Sequence, residues 1–243
     1  MDTPPTTTTD FQYAGSELAL FALAHRWKAY WSVMLRRFVA GAVLEVGAGI
    51  GSNVRPLLSD RVKRWTALEP DAALVGVMRQ SVAAGELPAN CHPVAGILAD
   101  LPVTETFDSI VYIDVMEHIA DDRAEVIAAA SRLAPGGRLV VLVPAHQFLF
   151  SAFDTAIGHY RRYNRASLLA LAPPGCKLEV CRMLDSVGFF ASLANKLLLR
   201  TALPTAGQIL FWDRVMVPLS RRLDPLLGYR FGKTLVAVWS RGA

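Results

Sequence analysis

Apolar and polar positions alternate along residues 42–144 in a pattern that predicts strands and helices in turn. Short, mostly apolar runs, typical of buried strands, are separated by longer segments with apolar residues at helical spacing. The predicted strands are residues 42–46, 64–68, 91–95, 107–113 and 138–143. Such regular alternation is typical of an α/β domain with a doubly wound parallel sheet.

The segments beside these strands carry the signals of helices and turns. Residues 16–39 are expected to form one N-terminal helix, which Gly41 ends. Asp71 is placed to cap the N-terminus of the helix after the second strand. Residues 121–133 have acidic residues in their first turn, as the helix dipole prefers. Pro135-Gly136-Gly137 predicts a turn before the fifth strand.

The chain after residue 144 has a less regular pattern. Residues 177–184 and 233–240 predict two further strands, which would bring the sheet to seven. Between them, residues 187–199 predict a helix, and residues 203–229 form an apolar segment broken by prolines. This stretch is longer than a simple crossover needs, so we expect a helical insertion in the C-terminal half.

We therefore expect a single domain over residues 13–243, preceded by a Thr/Pro-rich, disordered tail at residues 1–12. Residues 16–40, 145–175 and 187–231 are expected to form cap elements over one edge of the sheet.

Composition and charge narrow the class of protein. Apolar residues make up 53% of the 243 residues, and the formal net charge is only +4. Nucleic-acid binders usually concentrate more positive charge, so nucleic acid is not the expected partner. The three cysteines show neither metal-ligand spacing nor an even count, which favours reduced thiols in a cytoplasmic protein. Residues 1–10 lack a basic region followed by an apolar one, so we expect no signal peptide, and no uninterrupted apolar run reaches membrane-spanning length.

The first predicted strand ends in a glycine-rich turn. Glu45 is followed by Gly47, Gly49 and Gly51, which gives the pattern E-x-G-x-G-x-G. Glycine permits positive φ and leaves the backbone bare, so a ligand can approach closely. The spacing differs from the dinucleotide pattern G-x-G-x-x-G, but it still predicts a nucleotide-like ligand at this turn.

Acidic residues follow the next two strands. Glu69, with Pro70 after it, ends the second strand, where a carboxylate can accept both hydroxyl groups of a ribose. Asp100 and Leu101 follow the third strand; the carboxylate can accept from an adenine amine, and the leucine can pack on the ring. A nicotinamide dinucleotide would suit Glu69 equally well, and Asp100 can also be a plain loop residue.

Two further motifs complete a family pattern. The stretch F-D-S-I-V-Y-I-D-V-M-E-H starts at Phe107, and P-G-G-R-L starts at Pro135. Together with the glycine turn and Glu69, these motifs resemble class I S-adenosylmethionine-dependent methyltransferases, in family order and spacing, over residues 40–145. The resemblance implies a seven-stranded, Rossmann-like sheet whose last strand is antiparallel.

The resemblance also implies S-adenosylmethionine as the cofactor and assigns residues to it. Those implied to border its methionine part and transferred methyl group are Glu45, Gly47, Gly49, Gly51, Asp114 and Val115. Glu69 and Pro70 would lie at the ribose, and Asp100 and Leu101 at the adenine. Lys28, on the N-terminal helix, could bind the cofactor carboxylate, although an ordinary surface helix explains it nearly as well.

Residues 144–163 carry the candidate acceptor side. His146, Asp154, His159, Arg161 and Tyr163 resemble a P-x-H…D…G-H-x-R-x-Y segment in some bacterial small-molecule methyltransferases. In one interpretation, Arg161 or its neighbour Arg162 binds an anionic acceptor, and His159 or His146 orients or deprotonates the nucleophile. In the other, Asp154, His159 and Arg161 only brace the loop.

His118 competes for the role of base, because it follows Asp114 by four residues and would face the same cleft. No metal is assigned, since the segment holds too few carboxylates.

The sequence thus favours methyl transfer to a small-molecule acceptor, hydrophobic or anionic, by in-line displacement. A nucleic-acid methyltransferase, a non-catalytic S-adenosylmethionine-binding protein and a nicotinamide oxidoreductase are the alternatives. Residues 208–227 mix apolar residues with arginines. They could lie on a membrane surface, but a helical lid or a homodimer contact is favoured.

Overall fold

The computed structural model describes residues 17–199 and 204–242. The expected tail at residues 1–12 lies outside the described residues. Seven strands form one sheet: β1 (Gly41–Val46), β2 (Val62–Glu69), β3 (Cys91–Ala95), β4 (Phe107–Ile113), β5 (Leu133–Pro144), β6 (Cys176–Leu184) and β7 (Thr234–Arg241).

The order of the strands is β3-β2-β1-β4-β5-β7-β6. The first five run parallel, and β7 lies antiparallel between β5 and β6. The predicted seven-stranded, mostly parallel sheet with an antiparallel last strand is therefore confirmed.

The sheet is buried on both faces. In β1, Val43 belongs to one apolar cluster and its neighbour Leu44 to another, because successive side chains of a strand point to opposite faces. Trp65 lies fully buried in the first cluster and Trp239 in the second. Burial on both faces explains why these strands read as continuous apolar runs rather than alternating ones.

Helices cover both faces and one edge. They are α1 (Glu17–Ala22), α2 (His25–Leu35), α3 (Val54–Leu57), α4 (Ala72–Ala83), α5 (Asp122–Ser131), α6 (Ala152–Ala156), α7 (Arg165–Leu169), α8 (Ser186–Ala194), α9 (Ala206–Phe211) and α10 (Val217–Leu226). Asp71 caps α4 as predicted, and its side chain accepts from the backbone N–H groups of Ala73 and Leu74.

The expectation of one helix over residues 16–39 was wrong. The chain forms α1 and α2, with a break at Leu23 and Ala24, and a 3₁₀ turn at Arg36–Phe38. The reason lies far away in the sequence, at the buried Asp213, whose carboxylate accepts from the N–H groups of Arg26 (3.2 Å) and Trp27 (2.8 Å). A carboxylate there satisfies N–H groups that a helix start leaves open and favours a new start.

The turn expected at Pro135-Gly136-Gly137 was also wrong. These residues lie inside β5, where the register with β4 shifts between the pairs Phe107–Leu133 and Ser109–Arg138. Pro135 has no N–H to offer to a ladder, and Gly136 has a φ of +73°, so the chain bulges instead of turning.

The apolar segment around residues 203–229 is not broken by its prolines. In its described part, α9, a π turn (Trp212–Met216) and α10 follow one another directly. Pro218 cannot bond to the carbonyl of Arg214 four residues before it, and that carbonyl accepts from the Arg26 guanidinium instead (2.9 Å). The wider π turn and this replacement bond let the helix pass the proline.

Buried carboxylates join the cap helices to the rest of the domain. Asp224 of α10 accepts from the Tyr30 hydroxyl and from the N–H groups of Asp185 and Ser186, at the start of α8. Asp185 in turn accepts from the Trp212 indole at 2.7 Å. The predicted helix over residues 187–199 corresponds to α8, continued by a π turn at Asn195–Leu199. Within the described ranges, no helix has the length and apolar character needed to cross a bilayer.

Candidate active site

A cavity of about 970 Å³ lies where the carboxyl ends of β1, β2, β4 and β5 meet the cap. The glycine turn and the ends of β2 and β4 line one side, and α6, α8 and α9 contribute to the other. Ligand sites span about 300–1,000 Å³, so this cavity is at the large end of that range. It has room for more than one small molecule.

The glycine turn meets the cavity with its backbone. Gly47 and Gly49 line the cavity and have φ values of +67° and +56°. A Cβ on Gly47 would lie 2.7 Å from a methyl carbon of Val115, so no side chain fits there. Gly51 does not line the cavity, and a Cβ there would lie 2.8 Å from Leu87. Its role is therefore packing, whereas Gly47 and Gly49 form the cradle.

Glu69 holds the glycine turn through a hydrogen bond and also lines the cavity. Its two carboxylate oxygens accept from the N–H groups of Gly49 (2.8 Å) and Asp71 (3.1 Å). Burial raises the pKa of its carboxyl above the usual range. Two carboxylate oxygens carry about four acceptor positions, so Glu69 can accept from ligand hydroxyls as well. Pro70 lines the cavity beside it.

Glu45 lies behind the turn and does not line the cavity. Its carboxylate is buried and accepts from Asn53 (3.0 Å) and from the Trp65 indole (3.0 Å). Burial raises its pKa to about 7, although those two hydrogen bonds act in the opposite direction. Asn53 lines the cavity in its place, so any effect of Glu45 on a ligand passes through Asn53 or through its charge.

Lys28 and Asp114 bring opposite charges to the cavity wall. Burial lowers the pKa of Lys28 to about 8, partly offset by Glu45 and Asp114. Asp114 has a φ of +53° at the end of β4. Its side chain is accessible within the cavity, yet desolvation by the surrounding protein raises its pKa to about 6. Val115 also lines the cavity, next to Gly47.

Asp100 and Leu101 are not brought to the cavity. Asp100 ends a 3₁₀ turn (Leu98–Asp100), and its carboxylate accepts from the Ile97 N–H at 2.9 Å. Leu101 is buried in the apolar cluster that contains Leu44 and Trp239, and its carbonyl accepts from Arg132 at 2.8 Å. The geometry therefore gives both residues a local structural role.

Asp154 is the centre of a buried ionic cluster on the acceptor side. Its carboxylate accepts from Nδ1 of His159 (2.9 Å) and from Nε of Arg162 (2.7 Å), as well as from the Ser151 N–H. Burial alone would raise the pKa of Asp154, but the bonds from His159 and Arg162 outweigh it and hold the pKa well below the usual range. His159 and Arg162 both line the cavity.

Glu117 and His118 lie beside His159, on a 3₁₀ turn (Met116–His118) after β4. The His118 and His159 rings meet edge to face, with centroids 4.5 Å apart. Burial lowers the pKa of His118 to about 4. The Glu117 carboxylate lies 3.8 Å from Nε2 of His159, and burial raises its pKa well above the usual range.

The other acceptor candidates point elsewhere. Arg161 donates to the carbonyls of Ile119 and Ala120 and pairs with Asp122. Tyr163 is buried and donates to the same Asp122 at 2.7 Å. His146 packs among phenylalanines, and its Nε2 lies 2.9 Å from the Gly232 carbonyl. None of these three candidates lines the cavity.

Sequence reasoning missed Glu117 and Lys233, and it left the choice between Arg161 and Arg162 open. Glu117, Lys233 and Arg162 line the cavity. The acidic residue directly before His118 was a usable signal, since it follows a buried strand. Lys233 directly precedes the last strand, and its ammonium lies 3.4 Å from Asp185 and over the Trp212 ring. Burial lowers its pKa.

The parallel sheet with an antiparallel β7, the glycine cradle and Glu69 together define an α/β domain built to bind a nucleoside-containing cofactor. The chain belongs to the methyltransferase domain family, whose model matches residues 21–185. It is a class I S-adenosylmethionine-dependent methyltransferase, as the sequence motifs predicted.

Known proteins support this assignment both by sequence and by fold. A ubiquinone biosynthesis O-methyltransferase from Xanthomonas euvesicatoria pv. vesicatoria is 35% identical over 168 residues, which are 60% of this chain and 67% of that protein. The structure of a geranyl diphosphate methyltransferase in complex with S-adenosylmethionine has a TM-score of 0.64 at 13% identity, covering 97% of this chain and 94% of that one. The N-methyltransferase NodS from Bradyrhizobium japonicum WM9, in complex with S-adenosylhomocysteine, has a TM-score of 0.57 at 14% identity, covering 90% and 88%. At these identities the two structures show a shared fold.

S-adenosylmethionine is the cofactor of this enzyme. The residues present fit it, because Gly47 and Gly49 line the cavity with main chain alone and the Glu69 carboxylate lines the same cavity. The cavity continues beyond this cradle toward His159, so a second molecule can meet the cofactor there.

Proposed function

We propose that the enzyme transfers a methyl group to an oxygen of a small, largely apolar acceptor that carries a hydroxyl group. The observation that carries this proposal is the orientation of His159. Its Nδ1 is held by the buried Asp154, and its ring lines the same cavity as Asp114 and the glycine turn. The 35% identical relative is named as an O-methyltransferase, which supports oxygen as the acceptor atom.

On the cofactor side, the backbone at Gly47 and Gly49 lets the cofactor approach, and Glu69 accepts from the ribose hydroxyls. Asp114 and Lys28 lie on the same wall and carry the charges that match the ammonium and carboxylate of an amino-acid moiety.

On the acceptor side, aromatic and aliphatic side chains form the walls. Phe21 packs near Phe153 and Trp212, with ring centroids 6.2 and 6.4 Å apart, and all three line the cavity. Ile209 and Met216 add to this surface. An aromatic acceptor fits such walls better than a strongly hydrated one, because burial of its apolar surface drives binding.

When bound, S-adenosylmethionine supplies a methyl group whose carbon–sulfur bond breaks with the electron pair on sulfur. The chain has to align the acceptor oxygen and exclude water. Nε2 of His159 accepts the hydroxyl proton as the oxygen forms its bond to the methyl carbon. Asp154 holds the ring so that this nitrogen points into the cavity, as a carboxylate does for other catalytic histidines.

An acceptor panel with labelled S-adenosylmethionine tests the proposal. Phenols and catechols with an apolar substituent are compared with matched anilines and with unmodified tRNA, and the position of the label is determined by mass spectrometry. We expect label on oxygen of the hydroxyl compounds. Preferential labelling of the anilines or of tRNA would overturn the proposal while leaving the cofactor assignment intact.

A further inference from the structure

The Glu117 carboxylate is buried without a hydrogen bond. The residue is 0% exposed, and neither of its carboxylate oxygens has a hydrogen-bond partner in the part of the chain that the structure describes. It nevertheless lines the cavity. Burying a carboxylate without partners is costly, so proteins normally pair such a group or use it to coordinate a metal.

Two imidazoles lie within reach of this carboxylate. Glu117, His118 and His159 each offer one ligand atom, and these atoms all lie within 4.8 Å of one another. Zinc lies about 2.0–2.2 Å from nitrogen and oxygen ligands, so ligands of one ion are separated by roughly 3–4 Å. The distance of 3.8 Å between the Glu117 carboxylate and Nε2 of His159 fits this range.

The surroundings of His159 are those of a metal ligand. Metal-binding histidines usually donate their second ring nitrogen to a carboxylate, which fixes the tautomer and the direction of the ring. Asp154 accepts from Nδ1 of His159 at 2.9 Å, which leaves Nε2 on the side of Glu117. Arg162 pairs with Asp154 and makes no hydrogen bond to Glu117, so the Glu117 oxygens stay open to a cation.

We propose that Glu117, His118 and His159 bind one divalent transition-metal ion, such as Zn²⁺, at the acceptor end of the cavity. Two imidazoles and one carboxylate form a ligand set of catalytic zinc sites, in which a further position stays open to water or substrate. No metal was expected from the sequence because the segment with His146, Asp154 and His159 holds too few carboxylates, and the structure adds Glu117 and His118 from the turn after β4.

This proposal rests on the proposed function and changes one step of it. The ion would bind the acceptor hydroxyl and lower its pKa, so that the proton passes to solvent water and His159 acts as a ligand rather than as the proton acceptor. The cofactor, the acceptor class and the transferred group remain the same. The two proposals can therefore fail separately.

Metal binding is tested directly on the full-length protein, without cofactor or acceptor. After treatment with a chelator, the protein is titrated with Zn²⁺ by calorimetry, and with Co²⁺ by visible absorption, which reports histidine coordination. We expect one ion per chain. His118→Ala, His159→Ala and Glu117→Gln are each expected to weaken binding by at least about 10–100-fold. His92→Ala, which removes an exposed imidazole outside the cavity, is expected to bind as the wild type does.

Thermal unfolding shows whether a variant that binds no ion has lost a ligand or is merely unstable. At an ion concentration about 100 times Kd, the wild-type Tm is expected to rise by about 5–10 °C. Glu117→Gln keeps the size of a side chain whose oxygens accept no hydrogen bond among the described residues, so its Tm without metal is expected to stay near that of the wild type, with no rise on adding Zn²⁺. S-adenosylhomocysteine binding by each variant shows that the part of the cavity around Gly47 and Gly49 is folded.

The outcomes separate the two proposals. No bound ion, or binding unaffected by the three substitutions, would overturn the metal site, and methyl transfer by the metal-free enzyme would then leave His159 as the proton acceptor. A bound ion combined with methylation of anilines alone would keep the metal site and overturn the hydroxyl acceptor.

Discussion

The two halves of the cavity are built by different means. The half that we assign to the cofactor uses backbone: Gly47 and Gly49 line the cavity with main chain, and Glu69 accepts from the N–H of Gly49. The half that we assign to the acceptor uses buried side-chain charge, with Asp154 joined to His159 and Arg162, and Glu117 left without a hydrogen bond among the described residues. A backbone cradle suits the nucleoside and amino-acid parts of the cofactor, which keep their structure through the reaction, whereas polar side chains with unsatisfied hydrogen-bonding capacity suit the group that reacts.

The largest effect on the rate of methyl transfer is expected for Asp154→Asn. The substitution keeps the size of the side chain but removes the charge that orients His159, so kcat is expected to fall about 1,000-fold. The affinity for S-adenosylhomocysteine is expected to stay within about threefold, as measured by calorimetry. Asp108→Asn, at an exposed aspartate outside the cavity, serves as the control and should leave both values unchanged. An equal loss of cofactor affinity would show that the two halves are not separate.

Gly47→Val is expected to weaken cofactor binding. The new side chain would collide with Val115 at a position whose φ is +67°, so the cradle would have to open. We expect S-adenosylhomocysteine affinity to fall about 100-fold, or roughly 2.7 kcal/mol. Gly85→Ala is a matched control, because Gly85 has a φ of +75° but open space around it. Similar losses for both variants would indicate strain alone rather than a blocked cradle.

Asp213→Ala tests how the start of α2 is attached to the helices of the C-terminal part of the chain. It leaves the first N–H groups of α2 without the buried carboxylate, which is expected to cost about 2 kcal/mol of unfolding free energy and about 4–8 °C in Tm. Asp121→Ala removes an exposed cap from α5 and should cost about 1 kcal/mol or less. Equal Tm values for the two variants would contradict the role given to Asp213.

The smallest effect concerns Lys28 and pH. With its pKa near 8, the lysine is charged below that pH and loses its charge as the pH rises through it. If it binds the cofactor carboxylate, S-adenosylhomocysteine affinity is expected to fall as the pH rises above 8. Lys28→Met should be about 10-fold weaker at neutral pH and should lack this part of the pH dependence, whereas Lys63→Met on the exposed surface should match the wild type. A pH profile shared by the wild type and Lys28→Met would exclude this role.

The sequence predicted the cofactor half better than the acceptor half for a physical reason. Strands and the glycine turn follow from local patterns, because a buried strand is continuously apolar and a positive φ favours glycine. The direction of a loop side chain does not follow from such patterns: Arg161 and Arg162 are neighbours, yet only Arg162 lines the cavity. The break between α1 and α2 depends on Asp213, 186 residues from Trp27, and no local signal contains it.

The most direct test of the account compares the wild type with His159→Ala in two measurements on the same preparations, the rate of methyl transfer to a phenolic acceptor and the Kd for S-adenosylhomocysteine. We expect kcat to fall at least about 100-fold while Kd changes less than about threefold, since His159 belongs to the acceptor half alone. An unchanged kcat, or a loss of cofactor affinity as large as the loss of rate, would contradict the division of the cavity into a cofactor half and an acceptor half.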